Sequence, residues 1–266
     1  MSAHSPYRVR SLSRGLRVLS ALNARGSATL AQLTTDTGIA KPTTFRILKT
    51  LEEEEFVYKD EDTDSYRPAA RVASLSSGFE ENAWFVEHTE GFLEKLSDQL
   101  VWPLSISTLA GTRILVRGNT DSKSALAVRR LAPGMTLPIL ESASGRVLLA
   151  FSSTDTREKI LERLRQSKEN CDLVARDTQR TEAMVSEARK LGYATVTVPR
   201  RISDLTTLAV PVNVHEIAVA ALAIRFSATG VAQETVVKDF LPAMRQCATS
   251  IGQAIAGDER AARVFG

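Results

Sequence analysis

The segment "GIAKPTTFRILKTLEEEEF", Gly38 to Phe56, joins a glycine to a short amphipathic run and then to four glutamates. At 100° per residue, a helix over 40–54 turns Thr44, Ile47, Leu48 and Leu51 to one side and Pro42, Arg46, Lys49 and Glu53 to the other. Pro42 is compatible with a first helical turn, where its missing N–H has no intrahelical partner in any case. Gly38 tolerates the positive φ that a tight entry into such a helix requires. These two residues fix where the helix begins and what kind of turn precedes it.

Elements on either side fit that helix into a small domain. Leu12, Leu16, Leu19 and Leu22, with Val18, recur at helical spacing and are stopped at Arg25-Gly26-Ser27. Thr29 is an N-cap for a second short helix to Thr37, with Leu30 and Leu33 facing inward. After the glutamates, "FVYKDEDTDSYRP" alternates apolar and polar residues about an acidic turn and reads as a hairpin, Phe56–Lys59 with Ser65–Arg67. Three short helices and a hairpin describe a winged helix-turn-helix.

A helix that reads DNA needs one face held on the protein and another bearing hydrogen-bonding, methyl and cationic groups. Here Thr43, Arg46 and Lys49 face outward with Phe45 at the flank, and the candidate DNA-binding residues of the helix are Lys41, Thr43, Thr44, Phe45, Arg46 and Lys49. Arg10, Arg14, Arg17 and Arg67 are placed to neutralise backbone phosphates. Charge agrees: residues 1–50 hold eight Lys/Arg against Asp36 alone, and residues 51–64 hold eight acids against Lys59. Two solvated surfaces of opposite sign would give the same counts. The glutamates lie about 14 Å along the axis from Thr43, at the end that points away from a groove. Acids there oppose the helix macrodipole by about 0.3–1 kcal/mol each, and nothing in the sequence accounts for what offsets that.

From Ala69 to Leu100 the pattern is again helical, a connecting helix with an interruption near Gly78. A second domain opens with a strand pair turning at Ala110-Gly111, "LSISTLAGTRILVRG". A helix starting near Ser142 follows, then "TREKILERLRQ" and "TQRTEAMVSEARKLGY" as amphipathic helices, the latter stopped at Gly192. A second strand pair turns around 213–216, and a last helix carries Phe240, Leu241, Met244 and Ile251. Mixed elements of this kind imply an α+β fold with an antiparallel sheet. The boundaries are 1–75 for the winged domain, 76–91 for the linker helix and 92–266 for the second domain.

If Ser142 starts a helix, the N–H groups of Ala143, Ser144 and Gly145 form an anion site suited to a carboxylate, or Ser142 is merely a cap. Thr206–Val210 and Val219–Arg225 are positioned to supply an apolar wall for a ring. No run of about 18 apolar residues spans a membrane. The N-terminus lacks a signal-peptide pattern, and Cys171 and Cys247 are too few for a disulfide framework, so a cytoplasmic location is expected. His4, His88 and His215 are scattered without metal-ligand spacing. Neither a nucleophile elbow nor a phosphate loop is present, so no catalytic residue, metal or cofactor is expected.

The chain from Ser11 to Leu75 resembles the DNA-binding domain of IclR-family transcriptional regulators. The resemblance rests on Arg14/Leu16/Leu19, Leu33–Gly38–Ile39–Lys41–Thr43, Arg46–Leu48–Leu51 and the wing residues Asp60, Asp62, Tyr66 and Arg67. It continues through "LPILESASGRVLLAF", "ARKLGYA" and "LAVPVNVHEIAVAALAI" to about Ile255. It implies a winged helix-turn-helix joined to a GAF-like effector domain, assembled as a homodimer or homotetramer on double-stranded operator DNA. RNA polymerase is a further contact that such a regulator implies, and a membrane is not. "VWPLSISTLAG" with "LPILESASG" is similar to a subgroup that activates catabolic genes for hydroxyphenylpropionate and related aromatic acids. On that basis Ser142, Ala143, Ser144, Gly145, Asp204, Thr207, Ala209, Ala221 and Ala223 are the expected effector residues, the effector being a small organic acid. Two departures stand out: Asp64 replaces a usual wing glycine, and Thr207-Leu208 occupies the place where many members have a cysteine. The alternatives are a small-molecule sensor or enzyme whose N-terminal domain is only an interaction module, and a non-specific architectural DNA binder. The modest net charge of +3 disfavours the last.

Overall fold

The computed structural model describes residues 9–75, 80–127, 131–199, 204–227 and 229–258. The chain divides into two compact units, Met1–Glu80 and Glu81–Gly266. The expected interruption near Gly78 lies outside the described residues.

In the first unit, α1 (Arg10–Arg25) ends at Gly26, whose φ of +73° lets its N–H return to the Leu22 carbonyl. Helix α2 (Leu30–Thr37) opens with a capping box: the Thr29 hydroxyl accepts from the Gln32 N–H at 3.3 Å, and Gln32 Oε1 accepts from the Thr29 N–H at 2.9 Å. Gly38 follows at φ +64°, and α3 (Lys41–Glu53) begins from Ala40 with Pro42 in its first turn. The wing pairs β1 (Val57–Asp60) with β2 (Ser65–Pro68), Tyr58 opposite Arg67. Asp64 at the wing tip adopts φ +45°, a region aspartate enters more readily than most residues, so the missing glycine does not prevent the turn. Backbone hydrogen bonds exchanged between Ala28 and Tyr66 anchor the wing to the α1–α2 loop. Val18, Leu22, Leu33, Leu48, Val57 and Tyr66 form the core. Truncating a buried leucine such as Leu48 to alanine costs about 2–5 kcal/mol. Leu12 and Leu16, although in phase with that core, are 61% and 55% exposed.

A one-turn α4 (Arg71–Ser74) closes the unit, and α5 (Glu80–Leu100) starts the next. The second unit holds a six-stranded antiparallel sheet in the order β5-β4-β3-β8-β7-β6. Its strands are β3 (Leu104–Ala110), β4 (Arg113–Asn119), β5 (Thr136–Pro138), β6 (Ala194–Val198), β7 (Leu205–Val214) and β8 (Ile217–Ser227). Between β5 and β6 run α6 (Ala143–Phe151), α7 (Thr154–Gln166) and α8 (Thr178–Leu191), and after β8 a short α9 (Gln233–Thr235) passes through a π-turn into α10 (Leu241–Ala256). Strand alternation divides β8 between two cores. Leu222, Ile224 and Phe226 join α5 and α10 on one face. Ala221 and Ala223 join Ala143, Val147 and Ala150 of α6 on the other. Alanines here let α6 lie close to the sheet. At Gly145 the first turn of α6 packs against the connection from β5, where any side chain would meet the Ile139 backbone.

Candidate nucleic-acid interface and effector site

On α3, Lys41, Phe45, Arg46 and Lys49 are exposed and Thr43 is half-buried. Thr44, counted among the DNA-binding candidates, is a correction: it is fully buried, as its place on the inward face implies, and its hydroxyl donates to the Ile39 carbonyl at 3.1 Å. That bond locks the first turn of α3 onto the Gly38 turn, so Thr44 orients the reading helix and does not touch a groove. Arg10, Arg14, Thr43 and Arg46 converge on one groove of about 880 Å³ between α1 and α3, floored by Leu16, Leu19, Ile47, Leu51 and Phe56. Arg17 does not join them, because its guanidinium donates to the Thr37 carbonyl at 2.8 Å and caps the end of α2. Lys49 pairs with Glu52 at 2.7 Å, which raises its pKa. Arg67 pairs with Asp60 across the wing at 3.1 Å.

In the second unit, Ser142 caps α6 by accepting from the Gly145 N–H at 3.1 Å. This corrects the three-donor anion site: the Gly145 N–H is already engaged, and Ala143, Ser144 and Gly145 are buried. Ala209, Ala221 and Ala223 are likewise closed against α6 and not an open wall. Arg146, in the same turn, donates to the Leu140 carbonyl at 3.0 Å, and burial pushes its guanidinium pKa down.

Sequence reasoning missed a buried charged group on the sheet face that α6 covers. Alternation along β8 puts Arg225 on the α6 face, opposite Thr207. It is 5% exposed and forms an ion pair with Asp121, itself 3% exposed. Ser105 and Ser107 of β3, which pair with Ala223 and Ala221, are buried on the same sheet face. Nothing local in the sequence reveals a pairing across 104 residues. A buried arginine that pairs with Asp121 presents a fork that a carboxylate ligand also fits. Asp204 is half-buried just before β7.

The fold also gathers Glu169, Cys171 and Asp172, whose ligand atoms lie within 4.8 Å of one another. Arg113 sits among them, donating to Cys171 Sγ at 3.2 Å and pairing with Glu169. The guanidinium already neutralises these acids, which disfavours a second cation. No helix of the described residues is long and apolar enough to cross a membrane.

Comparison with known proteins gives one answer for both units. Residues 11–61 match the IclR helix-turn-helix domain, and residues 81–253 match the bacterial transcriptional regulator IclR C-terminal domain. The Pca regulon regulatory protein of Pseudomonas putida is 27% identical over 203 residues, 76% of this chain and 68% of that protein. The HTH-type transcriptional repressor AllR of Escherichia coli is 26% identical over 185 residues, 68% of this chain and 67% of AllR. The fold is shared with an IclR homolog of Microbacterium hydrocarbonoxydans crystallised with 4-hydroxybenzoate, at TM-score 0.60 and 20% identity over 93% of this chain and all of that one. With a helix-turn-helix unit built around Gly38 and α3 that matches over 11–61, and a sheet domain that matches over 81–253, the chain belongs to the IclR family of transcriptional regulators.

Proposed function

We propose that this regulator responds to a small aromatic acid and controls a catabolic operon. The observation that carries the reading is Arg225, a buried guanidinium on the sheet face that also bears Thr207, Ala221 and Ala223. An arginine fork matches a carboxylate in shape and charge. The names of the relatives support it: one governs a Pca regulon, and one fold neighbour was crystallised with 4-hydroxybenzoate. The effector turn of Ser142, Ala143, Ser144 and Gly145, with Asp204, Thr207 and Ala209, frames the site without supplying its charge.

On the DNA side, Arg46 and Thr43 read the major groove, Lys41, Phe45 and Lys49 flank them, and Arg10, Arg14 and Arg67 contact phosphate. Exposed Val9, Leu12, Leu16 and Leu75 form an apolar surface beside the arginine groove, which supports pairing of two copies on a pseudo-palindromic operator. Contact with RNA polymerase belongs to the same reading. The test is fluorescence anisotropy on the chain's own promoter DNA with excess non-specific competitor, across a salt series. Arg46→Ala is expected to lose about 1–3 kcal/mol of specific binding. Equal affinity of the unaltered chain for every sequence would overturn sequence-specific reading, and light scattering that gives a monomer on DNA would overturn the paired arrangement.

A further inference from the structure

The Arg225–Asp121 pair is more than a reader. Asp121 uses both carboxylate oxygens: Oδ1 holds Arg225, and Oδ2 accepts from the Leu131 N–H at 2.6 Å. Asn119 completes the ring, donating to the Leu131 carbonyl at 2.7 Å and accepting from the Asp121 N–H at 2.9 Å. One buried carboxylate therefore joins β8 to both ends of the connection between β4 and β5.

The residues after Asp121 grip the end of α5. Thr120 and Leu104 exchange two hydrogen bonds, each 3.0 Å, where the chain leaves α5 for β3. Ser124 Oγ donates to the Val101 carbonyl at 2.8 Å, and Lys123 pairs with Glu94 of α5. Val101 itself stands at φ +65°, a left-handed conformation that a β-branched residue adopts only under constraint. A strained residue held by the segment that carries the buried carboxylate is a linkage with two ends.

We propose that Asp121 occupies the effector's place in the ligand-free chain: an organic acid binds by exchanging its carboxylate for Asp121 at Arg225, which loosens 120–124 from the C-terminal end of α5. The exchange keeps the buried guanidinium paired throughout, avoiding the large penalty of a stranded charge. An uncharged analogue of the same shape offers no such replacement. Because the ligand competes with an internal carboxylate, its apparent affinity is reduced by the fraction of chains in which Asp121 still holds the site. This inference rests on the aromatic-acid reading above and adds the regulation of the same site.

The test uses the full-length chain with benzoate, 4-hydroxybenzoate and 3-phenylpropionate, each beside its uncharged amide. Binding is read by calorimetry and thermal shift, and backbone opening by hydrogen–deuterium exchange over 119–127. One or more acids, and none of the amides, should bind the unaltered chain and raise exchange in that segment. Asp121→Asn, which removes the competing charge but keeps the shape, should bind the same acid about tenfold more tightly and show raised exchange without it. Arg225→Gln should lose the acid. Undiminished binding to Arg225→Gln, or unchanged or weaker binding to Asp121→Asn, overturns the exchange while leaving the aromatic-acid reading in place. If Arg225→Gln fails to fold, the affinity of Asp121→Asn decides alone. Failure of every acid to bind the unaltered chain overturns both, with DNA binding tested separately.

Discussion

Gly145→Ala tests how closely the first turn of α6 packs on Ile139, the residue that follows β5. A methyl group on Gly145 would stand 2.0 Å from the Ile139 carbonyl oxygen and 2.6 Å from the carbonyl carbon, where ordinary contact begins at 3.4 Å. The obstacle is backbone, so no rotamer change relieves it, and α6 must lift by roughly an ångström at its first turn. Lifting it stretches the Ser142–Gly145 cap at 3.1 Å and the Arg146–Leu140 bond at 3.0 Å, and it opens the packing around Ile139 and Leu140, both buried. A lost cap costs about 1 kcal/mol and overpacking about 1–3 kcal/mol, together roughly 2–4 kcal/mol. At about 2–4 °C per kcal/mol for a unit of this size, its midpoint should fall by roughly 5–15 °C. Scanning calorimetry on the full chain checks this, with Gly38→Ala as the contrast. There the added methyl meets nothing within 4 Å, and only the φ of +64° is strained, for about 1 kcal/mol in the other unit. A Gly145→Ala chain that melts within about 1 °C of the parent would refute the close approach of α6 to Ile139.

Thr44→Val keeps the shape of a buried side chain but removes its hydrogen bond to Ile39. It should cost about 1 kcal/mol in denaturant titration without altering operator preference; a change of preference at constant stability would return Thr44 to the DNA surface. The Cys247 thiol, between α10 and α5, is pushed by burial up to about 11. A thiol with a folded pKa above its unfolded one contributes stability that is complete at neutral pH and is lost as pH rises from about 8.5 towards 11. Urea midpoints for the parent and Cys247→Ala should therefore converge over that window, and a constant difference would remove the thiol as the titrating group.

Local chemistry made the first unit legible. Thr29 with Gln32, Gly26, Gly38 and Pro42 each specify a boundary through their own backbone or side chain, and every one of those boundaries is where the pattern puts it. Periodicity alone was less informative. Leu12 and Leu16 repeat in phase with Val18 and Leu22, yet the half of α1 that carries them extends past the core. In the second unit β5 and β6 escaped notice. They are the edge strands: β5, three residues long, is too short to show an alternation, whereas β6 is ATVTV, four β-branched residues in five, a local signal that sits directly after the Gly192 helix stop. Arg225 read as one more residue of an apolar strand, because its partner Asp121 is 104 residues away.

The glutamates at the end of α3 show how a cost visible in sequence is met by something remote. Acids at a helix C-terminus repel the partial negative charge of its unpaired carbonyls. The compensating cation is Arg71, beyond the wing: it donates to the Glu54 carbonyl at 2.8 Å, lies 3.7 Å from the Glu55 carboxylate and stacks on Phe56 at 4.9 Å. Glu52 is met by Lys49 one turn back. Glu52 and Glu55 are thus met by nearby cations, and exposed Arg46 stands ahead of them on the helix. The N-terminal half of α3, where Lys41 and Arg46 are exposed, therefore carries net positive charge, while the compensated acids stay at the end next to the wing.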